Sequence, residues 1–332
     1  MNQLGLGIAI TGSGSATLDV TLDNHQLSQI VETSDEWITS RTGIRERHLV
    51  GEGGNLSAIA AMAAREAIAM AGVAPEDLDL IILATSTPDD LFGTACQIQT
   101  LLGAPQAVAF DMTAACSGFV FGLVTAAQFI RTGVYQTVLL IGADVLSRWV
   151  DWSDRSTCVL FGDGAGAVVM QANESDRLLG FELRSDGTLN HCLQLAHKAQ
   201  PKEIVKGVSV GQGNFQPITM NGKEIYRFAV QKVPEVIEKA LFRANLSVEE
   251  IDWLLLHQAN QRILDAVAQR LNIPAQKVLS NLAKHGNTSA ASIPLALDEA
   301  VRQGKVKSGD IIASCGFGAG LTWGAAIFQW GR

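Results

Sequence analysis

The chain of 332 residues contains little charge, few aromatic side chains and few cysteines. Charged residues make up 17% of it, aromatic residues 6%, and the net charge is -8. An overall acidic chain is not expected to bind nucleic acid. The five cysteines show no C-x-x-C pair and no other metal-ligand spacing. We therefore expect no metal site, and we expect reduced thiols in a cytoplasmic protein.

Long apolar runs and targeting signals are also missing. No apolar stretch reaches about 18 residues without glycine or polar breaks, so no membrane span is predicted. The N-terminal segment has no basic residues before its short apolar run, which is unlike a signal peptide. No G-x-G-x-x-G links a strand to a helix, which disfavours a dinucleotide-binding dehydrogenase. The glycines of FGDGAGA at 161–167 precede an apolar strand pattern, so we interpret them as close backbone packing.

What the sequence does contain is an alternation of short apolar strands and longer helical patterns, typical of an α/β protein. Strands are predicted over 4–11, 79–85, 138–144, 251–257 and 310–314, with two strands bent around glycines over 159–170. Helices are predicted over 55–72, 116–133 and 229–246, and a short helix with a surface loop over 23–48. Asn55 and Gly72 supply the cap signals of the first long helix.

The second half of the chain repeats the first. Two pairs of segments align, 74–85 with 246–258 and 116–133 with 287–304. The alignment predicts a duplicated βα unit, with Cys116 and Asn287 at equivalent places and His257 at the end of the preceding strand. Ligands of parallel sheets bind at the carboxyl ends of the strands. One cleft between the halves can therefore hold all three side chains.

These three residue types together suit acyl chemistry. Cys116 lies where a strand gives way to a helix, where free N–H groups and the helix dipole favour the nucleophilic thiolate. His257 and Asn287 can donate hydrogen bonds to an oxygen that gains charge. Taken singly, each also has a structural interpretation: a buried cysteine, a satisfied core histidine and a helix N-cap. Backbone N–H groups of the glycine-rich segment 316–320 can complete an oxyanion hole with that of Cys116.

Six motifs carry a resemblance to a known family. They are DEWITSRTGIRERH (35–48), TAACSGF (113–119), FGDGAGA (161–167), HQANQRI (257–263), HGNTSAAS (285–292) and GFGAGLTWG (316–324). In this order they resemble β-ketoacyl-acyl-carrier-protein synthase III, one of the thiolase-like condensing enzymes. The resemblance implies a five-layer αβαβα fold built from two duplicated halves, which we place at 1–172 and 173–332. It also implies a homodimer.

The resemblance implies a decarboxylative Claisen condensation that initiates type II fatty acid biosynthesis. Cys116 takes an acyl group from acetyl-CoA or another short acyl-CoA, which is a substrate, so no cofactor is expected. His257 and Asn287 polarise the thioester of malonyl-acyl-carrier-protein during decarboxylation. The backbone of Cys116 and Ala319 forms the oxyanion hole. The products are acetoacetyl-acyl-carrier-protein, CO₂ and CoA.

The substrate contacts follow from the same resemblance. Trp37 and Arg155 sandwich the adenine of CoA, and Arg41 meets its phosphates. Leu91 and Phe92 shape the acyl pocket, where many members have a single Phe. The stretch that binds the carrier protein consists of Gln258, Ala259, Asn260, Gln261 and Arg262.

Two alternatives remain open at this stage. One is a related condensing acyltransferase of a secondary-metabolite pathway, which would use the same three residues on another acceptor. The other is a non-catalytic paralogue that only binds acyl carrier protein. The presence of Cys116, His257 and Asn287 together argues against the second alternative.

Overall fold

Two five-stranded mixed sheets form the centre of the protein, which the computed structural model describes over residues 6–16 and 18–331. The first sheet has the order β1 (Gly7–Ser15), β7 (Gly164–Asn173), β6 (Thr137–Asp144), β4 (Leu80–Ala84), β5 (Val108–Met112). The second has the order β14 (Val278–Leu279), β13 (Trp253–Leu256), β15 (Ile311–Gly318), β16 (Thr322–Gln329), β8 (Leu178–Ser185). The strands can be numbered along the chain within each sheet, with the first sheet read from β1 and the second from β8. Both sheets then have the order first, fifth, fourth, second, third, so the duplication is present in the fold.

The helices form three layers around these sheets. Between the sheets lie α5 (Gly118–Arg131) and α10 (Ser292–Arg302), which contact strands of both. The outer face of the first sheet is covered by α3 (Leu56–Ala71) and α4 (Ala95–Leu102), and that of the second by α7 (Gly222–Ala244) and α8 (Gln261–Arg270). This confirms the predicted five-layer αβαβα arrangement. The division at 172/173 stays a prediction, and β7 continues to Asn173.

Shorter elements connect the layers and surround the site. The short helices are α1 (Asn24–Leu27), α2 (Asp35–Thr42), α6 (Arg155–Cys158) and α9 (Leu282–His285). The small two-stranded sheets pair β2 (Val20–Asp23) with β3 (Glu46–Leu49), β9 (Leu193–Gln194) with β12 (Thr219–Met220), and β10 (His197–Val205) with β11 (Val208–Phe215). The region 23–48, predicted as a short helix and a loop, thus contains two short helices and a strand.

Cap residues position the long helices. The Asn55 side chain accepts a hydrogen bond from the backbone N–H of Ala58 at 2.8 Å, and Gly72 ends α3 in the left-handed conformation, both as predicted. Helix α7 begins at Gly222, before the predicted start at 229, because Asn221 caps it. Pro234 lies inside α7, and the carbonyl of Val230 that it leaves free accepts from Arg270 at 3.4 Å.

The prediction of two strands over 159–170 is wrong. A single strand, β7, begins at Gly164, and Phe161 forms an isolated parallel bridge with Asn287. The approach of α10 requires glycine at position 166. A Cβ added at Gly166 would lie 2.6 Å from the backbone nitrogen of Leu295. The close backbone packing expected here is therefore between a strand and a helix.

The repeat alignment needs a correction at the start of the central helices. Ala115 and Ser289 both have a positive φ, 46° and 51°, in the short 3-10 turns that precede α5 and α10. Cys116 therefore corresponds to Ala290, and Asn287 lies before the turn. Helix α5 has 14 residues and α10 has 11. The alignment is right only at their closing glycines.

Candidate active site

Cys116 lies on the wall of a cavity with a volume of about 780 Å³. It belongs to the 3-10 turn Ala115–Ser117, which links β5 to α5, and it is 7% exposed. Ser289 and Ala319 line the same cavity. A Cβ added at Gly318 would lie 2.8 Å from the Cβ of Cys116 and 3.1 Å from its Sγ, so only glycine lets β15 pass here.

The surroundings of Cys116 favour the thiol over the thiolate. Burial raises the pKa of Cys116 to about 12, and the nearby Asp144 carboxylate acts in the same direction. A hydrogen bond with the Ser289 side chain lowers the pKa without cancelling the cost of burial. The prediction that this position favours the thiolate over the thiol is therefore wrong. The helix α5 begins only at Gly118, two residues after Cys116, and burial is the largest influence on the thiol.

Asp144, which the sequence analysis did not single out, holds the two halves together beside the cysteine. Its carboxylate is fully buried and accepts hydrogen bonds from the backbone N–H groups of Ser86 at 2.8 Å and Ala290 at 3.1 Å. The Thr87 hydroxyl donates to it at 2.9 Å. These bonds connect the ends of β4 and β6 to the turn before α10. They fix Ser289 next to Cys116.

His257 follows β13 and is 2% exposed. Its Nδ1 lies 2.7 Å from the Ser292 hydroxyl, at the first residue of α10. Its ring packs edge-on against Phe317, with 5.2 Å between ring centroids. Burial lowers the pKa of His257 to about 3, so the imidazole is neutral at physiological pH. A neutral imidazole has one donor and one acceptor nitrogen.

Asn287 is 7% exposed and is fixed through both its main chain and its side chain. Its backbone N–H donates to Leu160 at 2.9 Å, and its carbonyl accepts from Gly162 at 3.0 Å. The side-chain Oδ1 accepts from the backbone N–H of Ser289 at 2.9 Å. Within residues 6–16 and 18–331 no protein acceptor binds its Nδ2, which leaves that amide free to donate. Because α10 begins at Ser292, Asn287 does not cap it.

The structure brings the three residues into one neighbourhood without placing all of them on the cavity surface. Cys116 lines the cavity, whereas His257 and Asn287 do not. Asn287 is bonded to Ser289 and bridges to Phe161, and both of these neighbours line the cavity. His257 contacts Phe317, which directly precedes the glycine that touches Cys116.

The residues predicted to bind CoA cluster around the half-buried ring of Trp37. The guanidinium carbon of Arg41 lies 4.6 Å from the Trp37 ring centroid, and that of Arg155 lies 4.8 Å from it. Arg155 also donates to the carbonyl of Glu32 at 2.7 Å. At this distance no base fits between Trp37 and Arg155. A sandwich around adenine therefore requires Arg155 to leave the ring.

The predicted carrier-binding stretch needs one correction. Gln258 is fully buried, and its amide donates to the carbonyl of Leu256 at 2.6 Å. Its side chain is therefore part of the core and unavailable to a partner. Ala259, Asn260 and Gln261 are half-buried. In this stretch Arg262 is the exposed residue.

The start of α8 packs directly against α2. The Asn260 side chain caps α8 and donates to the carbonyl of Arg41 at 3.1 Å, and Arg262 donates to that of Ser40 at 3.3 Å. Gly43 ends α2 with φ 81°, and a Cβ there would lie 2.6 Å from the Cβ of Gln261. The predicted CoA segment and the predicted carrier segment are therefore neighbours.

The two acyl-pocket residues lie on an exposed loop. Leu91 is 81% exposed and Phe92 is completely exposed. Leu91 lines the cavity of Cys116, and both residues line a second cavity of about 440 Å³ beside the edge strand β5. Val108 on that edge strand is 48% exposed. This region is an uncovered apolar surface.

Over 6–16 and 18–331, no three His, Cys, Asp or Glu side chains are grouped so that they could hold a metal ion. In the same ranges, no helix has both the length and the apolar character to cross a membrane.

Comparisons with known proteins agree over nearly the whole chain. The family model for 3-oxoacyl-[acyl-carrier-protein (ACP)] synthase III matches residues 110–187. The model for the C-terminal part of the same family matches residues 241–330. The β-ketoacyl-[acyl-carrier-protein] synthase III of Nostoc sp. is 75% identical, over 98% of this chain and 99% of that protein. The protein so named from Acaryochloris marina is 67% identical over 100% of both chains. The crystal structure of 3-oxoacyl-[acyl-carrier-protein] synthase III from Aquifex aeolicus is 46% identical, with a TM-score of 0.89 over 98% of this chain and 100% of that one.

Proposed function

This chain belongs to the 3-oxoacyl-[acyl-carrier-protein] synthase III family of condensing acyltransferases, and from that premise we propose the roles of its own residues. The reaction is a decarboxylative condensation of an acyl-CoA primer with malonyl-acyl-carrier-protein. The observation that carries the assignment of roles is a cysteine on the wall of a 780 Å³ cavity with a neutral histidine and a free amide donor close by. The names of the relatives do not favour the secondary-metabolite or the non-catalytic alternative.

In the first half-reaction, the sulfur of Cys116 attacks the thioester carbonyl of acetyl-CoA or another short acyl-CoA. The backbone N–H groups of Cys116 and Ala319 stabilise the oxyanion that forms. When the carbonyl re-forms, the bond to CoA sulfur breaks. CoA leaves as the thiol with the proton that Cys116 gives up. Because the resting cysteine is a thiol, this proton transfer is part of the step.

In the second half-reaction, the thioester oxygen of the malonyl group accepts hydrogen bonds from His257 and Asn287. As CO₂ leaves, the electron pair of the broken bond passes into an enolate whose charge lies on that oxygen. The enolate carbon attacks the acyl group on Cys116. Acetoacetyl-carrier-protein forms when the primer is acetyl, and Cys116 leaves as thiolate and regains a proton. No cofactor takes part in this scheme.

We further propose a homodimer and a cytoplasmic location. The dimer is supported by the exposed Leu91 and Phe92 and by the exposed edge of β5, which a second copy can cover. In that arrangement Phe92 shapes the acyl pocket of the partner subunit. The location is supported by the five cysteines, all of which are free.

Intact-mass measurement after mixing the protein with acetyl-CoA tests the proposed chemistry. A mass gain of one acetyl group that peptide mapping places on Cys116 supports the acyl-enzyme. Parallel reactions with longer acyl-CoAs measure the size of the acyl pocket. Absence of any gain, with acyl-CoA of every length, would contradict the first half-reaction.

Replacing Trp37 by alanine should raise KM for acetyl-CoA by about tenfold, because the base loses its stacking partner. Both kcat and the KM for malonyl-carrier-protein should stay within about twofold of their values in the unsubstituted protein. Glu36→Ala is a matched control, since Glu36 is an exposed neighbour on the same helix. Steady-state kinetics with each substrate varied in turn measures both effects. An unchanged KM for acetyl-CoA would place the adenine elsewhere.

Replacing Arg262 by alanine should raise KM for malonyl-carrier-protein by about three- to tenfold, because an exposed positive charge that meets an acidic partner is lost. Acylation by acetyl-CoA should not change. Arg65→Ala is the control, since Arg65 is also an exposed arginine that donates to a backbone carbonyl, but on α3. The increase should shrink at high salt. Equal KM values for malonyl-carrier-protein in Arg262→Ala and Arg65→Ala would show that the carrier protein docks elsewhere than at the start of α8.

A further inference from the structure

The side chain of Ser292 occupies a buried position between the two halves of the site. It is 1% exposed and stands at the first residue of α10. Its Oγ lies 2.7 Å from Nδ1 of His257 and accepts the backbone N–H of Gln258 at 3.3 Å. Neither half-reaction requires this hydroxyl to touch the substrate. Its hydrogen bonds nevertheless decide which nitrogen of His257 carries the proton.

The donors and acceptors around Ser292 can be counted. A serine hydroxyl offers one proton and two lone pairs, and one lone pair is used by Gln258. In the part of the chain that the structure describes, the only acceptor within hydrogen-bond distance of the hydroxyl proton is Nδ1 of His257. If Nδ1 carried a proton instead, the hydroxyl proton would be buried without an acceptor. Buried donors without a partner are strongly disfavoured.

We propose that Ser292 is a positioning residue that donates its hydroxyl proton to Nδ1 of His257 and so keeps the imidazole proton on Nε2. This inference rests on the proposed function, in which His257 is a hydrogen-bond donor to the substrate oxygen. The neutral ring has only one N–H. Because Nδ1 faces Ser292, that N–H can reach the substrate oxygen only when it is on Nε2. The serine therefore acts through His257 and does not touch the substrate.

The position of Ser292 at the start of α10 supports this arrangement. The positive end of the helix dipole lies beside the ring and disfavours an imidazolium. Burial acts in the same direction, since it lowers the pKa of His257. The ring is also held by Phe317, so its orientation is fixed on a second side. A neutral ring whose tautomer is set by one serine is thus available before substrate arrives.

Replacing Ser292 by alanine tests the inference. We expect the rate of malonyl-carrier-protein decarboxylation and condensation to fall by about 10- to 100-fold, because loss of this hydrogen bond frees both the orientation of the ring and the position of its proton. Acylation of Cys116 by acetyl-CoA, followed by intact mass, should change by less than about threefold. Ser292→Thr keeps the hydroxyl and should recover most of the lost rate. Nitrogen NMR of ring-labelled histidine, with the His257 signal identified by its loss in His257→Gln, should show Nε2–H in the unsubstituted protein.

Ser13→Ala is the matched control. Ser13 is fully buried and its hydroxyl donates to Asp298 of α10 at 2.9 Å, away from His257. This variant loses a buried hydrogen bond to the same helix and should keep both half-reactions. An Nδ1–H tautomer in the unsubstituted protein would overturn the inference. Normal decarboxylation by Ser292→Ala would also overturn it. An equal loss of decarboxylation rate in Ser292→Ala and Ser13→Ala would overturn it as well. Absence of decarboxylation by the unsubstituted protein would instead contradict the proposed function.

Discussion

Cys116→Ser should lower the rate of acyl transfer from acetyl-CoA by at least about a thousandfold, since an alcohol is a far weaker nucleophile than a thiol at neutral pH. The substitution is nearly isosteric, so the cavity and the hydrogen bond to Ser289 should persist. Intact mass after mixing with acetyl-CoA should show no acetyl adduct on the expected time scale. Steady-state condensation should fall by the same factor, because the acyl-enzyme precedes it.

Cys96→Ser provides the comparison for this loss. Cys96 is the exposed cysteine and lies in α4, beside the second cavity and not the cavity of Cys116. Its substitution should leave both acylation and condensation intact. Retention of condensation in Cys116→Ser would remove Cys116 from its role as nucleophile. An acetyl adduct that mapped to Cys96 would have the same consequence.

The elements of this fold could be predicted where local signals mark their ends. Asn55 and Gly72 cap α3 as predicted. The start of α7 was missed because its cap, Asn221, precedes a polar first turn with weak periodicity. The exposed hairpin of β10 and β11 was missed because its strands bury no face.

The candidate site could be predicted in its residues but not in its electrostatics. Position along the chain placed Cys116 at a strand-to-helix junction, which favours a thiolate. The raised pKa comes from burial and from Asp144, and neither is visible in the local sequence. The sequence alignment of the two halves paired Cys116 with the wrong residue for a similar reason. The positive φ values of Ala115 and Ser289 mark the equivalent turns, and no glycine stands there to signal them.

His257→Ala and Asn287→Ala should each lower malonyl decarboxylation and condensation by about 100- to 1000-fold, as removal of an oxyanion donor typically does. Acylation of Cys116 should change by only a few fold, because neither side chain serves the first half-reaction. The two half-reactions are measured separately, by intact mass with acetyl-CoA and by CO₂ release from malonyl-carrier-protein. Equal losses in both would show that the pair also acts during acylation.

Asn287→Asp separates the donor role of Asn287 from its place in the structure. The carboxylate keeps the shape of the amide and the oxygen that accepts from Ser289 at 2.9 Å, but it cannot donate from the Nδ2 position. We expect it to decarboxylate malonyl-carrier-protein as poorly as Asn287→Ala. Near-normal decarboxylation would mean that the amide proton is unnecessary.

If both donors bind one oxygen, the double variant His257→Ala/Asn287→Ala should lose less than the product of the single effects, since residues that act as a unit are not additive. A loss equal to that product would instead place His257 and Asn287 on two separate groups of the substrate.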